Sequence, residues 1–535
     1  MSRRHQAFPY STLVLLTFAL LGGCVSLPPG SGAPKLASSA LAHPDETRLG
    51  RQFARAARAH GGNSGFRIIP FGADGFLTRM QMINAAERTL DLQYFIFRGD
   101  ETGRLLTGAV LRAADRGVRV RLLVDDGDTA SGDEQLTKLE AHPSIEIRIF
   151  NPFAYRGHYT LFRHMEFAFD HRRLDYRMHN KLLVLDNAVA LIGGRNIGDE
   201  YFQIAPEAQL ADDDVLAAGP IARELSASFD EYWNNALSIP VAALGGGKTS
   251  HAALSEHREE LGEQRQQLKA EGLDYLQRVA SGEPFKGMVS GRLALIWAHA
   301  QVVCDSPEKR KVQDGAIAGR LLQRPVTDAV NAVRSELLMV TPYLIPGDDG
   351  MKLLTDLRQR QVRVRILTNS LETSTVSVAQ SGYQGYRRPL LKSGVELYEI
   401  RALLGNSRGS GQTAAISNHG NYSLHAKLYV FDRQRLFIGS MNFDQRSMHI
   451  NTEIGLIIDS PVLAEQVAAR FEAMVQPVNS YRLALRQNRS GTRHRLVWQT
   501  EEDGSVVEYL KEPARTEWQR MKVTLLSLVP LDGEL

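Results

Sequence analysis

The sequence predicts an α/β protein built from two copies of one domain that meet across a pseudo-twofold. Segments of helical spacing alternate with short β-branched runs, the pattern of strands joined by crossover helices in a sandwich. The run "HNKLLVLDNAVALIGGRN", from His179 to Asn196, returns as "HAKLYVFDRQRLFIGSMN", from His425 to Asn442, with the same polar residues at the same spacing. The copies also keep nearly constant offsets, 246 from His179 to His425 and 244 from Val118 to Val362, so the repeat is a whole domain. A chain of 535 residues, 43% hydrophobic and 23% charged, has room for two or three cores.

The chain opens with Arg3 and Arg4, then "STLVLLTFALL" and "LGGC", the order of a secretory signal peptide over residues 1–23. Cys24 follows small residues and has the place of the acylated cysteine of a bacterial lipoprotein. The expectation is an extracytoplasmic, membrane-anchored lipoprotein on the periplasmic side, with Val25 slightly favouring the outer membrane. Residues 24–60 read as a Pro/Gly/Ser-rich tether followed by a helix in "DETRLGRQFARAARAH". With Cys24 so used, Cys304 has no disulfide partner and reads as a small buried residue.

The first domain is expected over residues 61–240: helix "FLTRMQMINAAERT", strand "LDLQYFIF", helix "RLLTGAVLRAADRG", strand "VRVRLLVDD". Residues 241–286 turn Gly-rich and then charged, a connector with a surface helix. The second domain, 287–500, replays the order in "TDAVNAVRS", "ELLMVTPYLI", "GMKLLTDLRQRQ" and "VRVRILTNS", and residues 501–535 form a C-terminal extension. The arginines of "RGVRVRLL" and "QVRVRIL" suit a sheet edge or a helix contact. Arg387 and Arg388 fall on a helix, where contact with a lipid headgroup is open.

On a strand, residues i and i+2 share a face, so His179 and Lys181 project together, with Asn180 behind. His425 and Lys427 do the same. Burying an imidazole beside an ammonium is costly unless an anion sits between them. Gly193, Gly194 and Gly439 let backbone come close, while Asn196 and Asn442 offer amide donors. Brought together, the copies form a pocket for one phosphodiester. The lysines face its non-bridging oxygens, one imidazole attacks phosphorus and the other protonates the departing oxygen. In-line displacement needs the two imidazoles on opposite sides, so each copy supplies half a site.

Each imidazole also needs a partner on its other nitrogen. Glu453 lies 28 residues beyond His425, and aligning Pro220 with Pro461 sets Asp212 opposite it. One orienting carboxylate is thus assigned per copy, Asp212 with Asp214 as its fallback, and Glu453. His158, His164 and His171 with Glu166 and Asp170 match no common metal-ligand spacing, and no cofactor is expected. A net charge of +3 and 7% aromatic residues argue against a general nucleic-acid binder.

Both runs match H-x-K-x4-D-x6-G-[SG]-x-N, and on them the chain resembles the phospholipase D superfamily. "AERTLDLQYFIFRGDETGRLL", "FDHRRLDYRMHNKLLVLDN", "VTPYLIPG" and "EPARTEWQRMKVTLLSLVPLDGEL" resemble its bacterial cardiolipin synthase branch, particularly the C type. The resemblance implies the phospholipase D fold, two tandem α/β/α sandwiches with the active site at their interface. It implies a phosphohistidine formed by His179 with His425 as acid, and a catalytic set completed by Lys181, Lys427, Asp186 and Asp432. The two aspartates follow the motif strands at turns, which suits a structural part equally. It further implies transfer of a phosphatidyl group to phosphatidylglycerol from phosphatidylethanolamine or a second phosphatidylglycerol. Water as acceptor would make the same site a phospholipase D yielding phosphatidic acid, and a phosphodiesterase or nuclease is the second alternative. Gly194 stands where Ser is commoner, an expected loss of one phosphate hydrogen bond.

Overall fold

The computed structural model describes residues 28, 30–127, 133–157, 159–203, 209–244, 250–271, 284–402, 422–487 and 494–528. The signal segment and Cys24 lie outside the described residues.

The first half contributes β1 (Ser64–Ile69), β2 (Thr89–Tyr94), β3 (Arg119–Asp125), β4 (Ile145–Phe150), β5 (Leu182–Leu185), β6 (Val189–Gly193), β7 (Gln209–Ala211), β8 (Asp214–Ala218) and β9 (Ser238–Pro240). All but β7 pair in the order β9-β4-β3-β2-β5-β6-β8-β1. Only β2, β3 and β4 are parallel. The parallel strands are those joined by helices, whereas β5 and β6 are joined by the turn at 186–188, too short for a crossover helix, and pair antiparallel, as β6 does with β8.

The second half repeats this plan with β10 (Ile296–Cys304), β11 (Glu336–Val340), β12 (Leu344–Ile345), β13 (Arg363–Asn369), β14 (Glu396–Ile400), β15 (Tyr422–Leu424), β16 (Leu428–Phe431), β17 (Arg435–Gly439), β18 (Phe443–Asp444) and β19 (Ile454–Asp459). The order is β10-β19-β17-β16-β11-β13-β14, and β20 (Ser480–Gln487), β21 (His494–Glu502) and β22 (Ser505–Tyr509) extend it outward. β10 joins the halves. Its start pairs with β1, Ile296 opposite Phe66, and its remainder with β19, Val302 opposite Leu456. Among the described residues an 18-stranded sheet results.

Helices Gly72–Ala85 and Glu101–Asp115, and their counterparts Gln323–Asn331 and Gly347–Gln359, occupy the expected places. Each half has a core of its own. A third apolar layer is shared, running from Phe66, Leu225 and Phe229 to Leu428, Leu456 and Phe471. Separating the halves would expose this layer to water, so the interface is held as firmly as a core.

The repeated arginines are helix contacts. Arg121 pairs with Asp91 at 2.7 Å and lies over the Phe229 ring, while Arg365 pairs with Glu472 at 2.5 Å and lies over Phe471. They also correct the tether. Arg148 donates to the carbonyl of Leu36 at 2.7 Å, Arg121 to that of Ser38 at 2.9 Å and Arg119 to that of Ser39 at 2.7 Å. Three guanidiniums in one strand layer carry more donors than the neighbouring carboxylates satisfy, and residues 36–39 supply the missing acceptors. Arg387 is buried against Glu399 and Glu512, which removes it as a headgroup ligand.

Candidate active site

The chain just before each motif strand pairs with the opposite half. Met178 bridges Thr452 in parallel, with the His179 amide donating to the Thr452 carbonyl at 2.9 Å. Likewise β15 pairs in parallel with β7, and the His425 amide donates to the Ala211 carbonyl at 2.7 Å. The next residues along, Glu453 and Asp212, are thereby set beside His179 and His425. His179 Nδ1 lies 2.9 Å from Glu453 Oε2, and His425 Nδ1 lies 2.5 Å from Asp212 Oδ2. Each histidine is therefore oriented by the carboxylate of the other half. Asp214, the fallback, is used elsewhere: it pairs with Arg79 at 2.7 Å and Arg195 at 2.9 Å inside the first half.

Two residues that the sequence reading missed hold these segments. Asp125, the last residue of β3, accepts the Met178 amide at 2.8 Å, and Asn369, the last of β13, accepts the Leu424 amide at 2.8 Å. Their offset of 244 is that of the repeat, the signal by which they were recoverable. Phe95 meets the His179 ring edge-on at 5.0 Å, and Tyr201 meets His425 at 5.3 Å.

Lys181 and Lys427 are buried, each donating to the carbonyl of its own histidine. Lys427 Nζ also stands 3.1 Å from His425 Nδ1. A nitrogen that donates to Asp212 cannot accept as well, so that approach is charge crowding and not a hydrogen bond. Burial, then Lys181 and Lys427, hold the His179 imidazole well below its usual range. Burial and Lys427 bring His425 down to about 3, opposed by Asp212. Burial pushes the Glu453 carboxyl up to about 7 and brings the Lys427 ammonium down to about 8. Each shift disfavours one more charge in a dry pocket, and an anion seated between the lysines relieves all of the cationic ones.

Gly194 acquires a different meaning from the one expected. A Cβ there would stand 2.3 Å from Asp212 Oδ1, so the glycine makes room for the carboxylate. At the equivalent place Ser440 donates its hydroxyl to Glu453. The group lost at Gly194 is thus a donor to the orienting carboxylate, not to a phosphate.

Two further expectations are corrected. Asn196 is closed in: its amide donates to the Tyr201 hydroxyl at 2.9 Å and its oxygen accepts the Ile96 amide at 3.2 Å, an arrangement that braces the loop beside His425. Asn442 is not closed in that way: its backbone amide donates to Ser447 Oγ at 3.3 Å, and its side-chain NH2 remains the candidate phosphate donor of the pair. Asp186 and Asp432 are structural. Asp186 accepts the amides of Glu87, Arg88 and Thr89, and Asp432 those of Arg334, Ser335 and Glu336. Both sit with positive φ at the far end of the motif strand, tying its turn to the strand that follows each first crossover helix.

A cavity of about 910 Å³ lies between β1 and helix Pro461–Met474, reaching Ala211 and Asp212. Neither histidine nor lysine lines it, so it adjoins the orienting side of His425 and not the reacting side.

Duplicated sheets, crossed carboxylate–histidine pairs and two buried lysines at one interface define a phospholipase D-type fold with a composite site. The family model described as "Cardiolipin synthase, PLD-like domain" matches residues 80–233 and 326–475, and the chain belongs to this family. Cardiolipin synthase C of Escherichia coli (strain K12) is 35% identical over 485 residues, 88% of this chain and 96% of that protein. The major cardiolipin synthase of Bacillus subtilis (strain 168) is 25% identical over 409 residues, 76% of this chain and 67% of that protein. The crystal structure of phosphatidylserine synthase from Haemophilus influenzae Rd KW20 shares the fold with a TM-score of 0.51 at 13% identity, over 80% of this chain and 91% of that one.

Proposed function

We propose that the protein is a phosphatidyltransferase that makes cardiolipin from phosphatidylglycerol and a second phospholipid through a phosphohistidine. The single observation that carries the reading is the crossed pair of oriented histidines flanking two buried lysines, in a chain similar along nearly its whole length to a cardiolipin synthase.

Nε2 of His179 attacks the phosphorus of the donor lipid. The bond from phosphorus to the head alcohol breaks, and its oxygen takes the proton from Nε2 of His425. Glycerol or ethanolamine departs, depending on whether the donor is phosphatidylglycerol or phosphatidylethanolamine. His425, now neutral, removes the proton from the terminal hydroxyl of an acceptor phosphatidylglycerol, whose oxygen displaces His179 from phosphorus. Lys181, Lys427 and Asn442 face the non-bridging oxygens throughout.

The carboxylates differ in a way that suits these roles. Glu453, with its carboxyl raised to about 7, gives weak support to a positive charge on His179, which must be neutral to attack. Asp212 raises His425 by both hydrogen bond and charge, and a bound phosphate offsets the lysines that otherwise keep it neutral.

The reading includes removal of residues 1–23, acylation of Cys24 and action from the periplasmic side, on the pattern of the N-terminal sequence. Replacing Cys24 by Ser is then expected to shed the lipid anchor. The deciding experiment is lipid mass spectrometry after incubation with vesicles of phosphatidylglycerol and phosphatidylethanolamine, with His179→Ala as control. Cardiolipin formed by the parent alone supports the transferase. Phosphatidic acid as the sole product would make the enzyme a hydrolase, and no lipid turnover would sink the reading.

A further inference from the structure

Fifteen large apolar side chains are exposed among the described residues, and nine of them belong to two short segments. Helix Thr160–Phe169 buries none of its residues. Leu161, Phe162, Met165 and Phe169 stand out on it, with Tyr159 just before, and Leu161 is 65% exposed. Helix Glu517–Leu526 carries Trp518, Met521 and Leu525, with Leu528 just beyond, and Trp518 is 66% exposed. The spacings 161/165/169 and 518/521/525 each draw one helical stripe. Apolar stripes of this size on a surface mark an interaction site.

Their attachment points say what kind. Arg163 of the first helix donates to the Asp126 carbonyl at 2.7 Å, and Arg156 pairs with the Asp126 carboxylate. The residue before it, Asp125, holds the segment that presents His179. At the second helix, Gln519 donates to the Leu371 carbonyl and Arg515 to that of Glu372, each at 2.6 Å. Just upstream, Asn369 holds the segment that presents His425. The two stripes are thus mounted on equivalent loops of the two halves, one beside each half of the active site. Neither helix is part of the repeat. One precedes β5 and the other ends the described chain, so what they share is position relative to the site.

Exposed cations accompany both stripes, Arg172 after the first helix and Lys522 within the second. Aromatic and aliphatic side chains bordered by Arg and Lys are the make-up of helices that lie in the plane of a membrane interface.

We propose that these two helices dock the protein on a bilayer bearing anionic headgroups, their stripes among the acyl chains and the active site between them facing the leaflet. The inference rests on the reading of the substrate as a membrane phospholipid. It makes the chain monotopic through its own catalytic halves, apart from any N-terminal anchor.

The test uses the full chain carrying Cys24→Ser and vesicles of phosphatidylglycerol with brominated acyl chains. Trp518 emission, taken as the difference from Trp518→Phe, is expected to be quenched. A tryptophan introduced by Phe162→Trp in the Trp518→Phe background is expected to be quenched as well. Leu161→Glu/Phe162→Glu/Leu525→Glu is expected to lower turnover of vesicle lipid by about 10-fold or more. The same variant should keep the parent's thermal midpoint and its hydrolysis of soluble bis(p-nitrophenyl) phosphate. Absence of quenching at both reporters overturns the proposal, as does full vesicle turnover by the triple variant. Quenching at both positions without lipid turnover by the parent would leave docking intact and sink the functional reading instead.

Discussion

The two halves of the active site are built on the same frame and finished differently. His179 is held by a glutamate that also accepts the Ser440 hydroxyl, whereas His425 is held by an aspartate that abuts Gly194. One extra methylene in Glu453 leaves room for a serine side chain, and the shorter Asp212 fills that room itself. Duplication thus preserved the backbone that presents each histidine, while a paired change of carboxylate and neighbour gave the two imidazoles different orienting partners. The difference teaches that one duplicated scaffold can hold two histidines whose orienting partners differ.

The sharpest way to break this comparison is to delete each imidazole with a leaving group that needs no acid. On a p-nitrophenyl phosphodiester, His179→Ala is expected to lose about 10⁴-fold or more of the activity and to release no burst. His425→Ala should release about one equivalent of p-nitrophenol and then stall as the covalent intermediate. A burst from His179→Ala in rapid-quench kinetics would reverse the two roles.

The next effect concerns the crossing. Glu453→Gln and Asp212→Asn are each expected to cost about 10²- to 10⁴-fold in kcat. Combined with His179→Ala, Glu453→Gln should add almost nothing, because both changes disable the same pair. Additive losses in that double mutant, measured on a chromogenic phosphodiester, would contradict the crossed assignment.

Smaller effects follow from the finishing residues. Gly194→Ser is expected to lower kcat about 10-fold or more by pressing on Asp212. Ser440→Gly removes a donor that lowers the Glu453 pKa, so that carboxyl rises above its value of about 7. The acidic limb of the kcat profile should then move to higher pH, and an unmoved limb would mean that Glu453 does not govern it. The linked stability has a definite sign. Glu453 binds its proton more tightly folded than unfolded, so its contribution is fully present below the unfolded value near 4.5 and is lost as pH rises toward about 7. In Ser440→Gly that loss extends to higher pH, visible as a thermal midpoint that falls over a wider range.

The smallest effect on chemistry belongs to the motif aspartates. Asp186→Ala takes the acceptor from three amides, of which that of Thr89 is buried, and is expected to cost about 1–3 kcal/mol of stability with kcat unchanged. Asp432 is half-buried, so water replaces part of what it offers, and Asp432→Ala should cost less in denaturant unfolding. A collapse of kcat in folded Asp186→Ala would restore a catalytic part.

Some of this was legible in the residues alone, and for local reasons. The period of two along a strand put His179 with Lys181 and His425 with Lys427, and the constant repeat offset announced two copies of one fold. Asp212 and Glu453 were recoverable by aligning the copies. Asn196 was misread because its partner, the Tyr201 hydroxyl, reaches it by a turn that no periodicity encodes. The segment at residues 36–39 read as a tether because its low-complexity composition is silent about the three arginines that hold it.

What tertiary structure alone decided is which carboxylate serves which histidine. Local periodicity governs the face on which a side chain lies, but Glu453 is separated from His179 by most of the second half of the molecule. Their contact exists because Thr452 pairs with the chain before His179, and Asp212 meets His425 because β7 lies beside β15. Those pairings form only when the shared apolar layer brings the two halves together. The sequence by itself determined the reacting groups and their number; packing between the halves determined how they are paired.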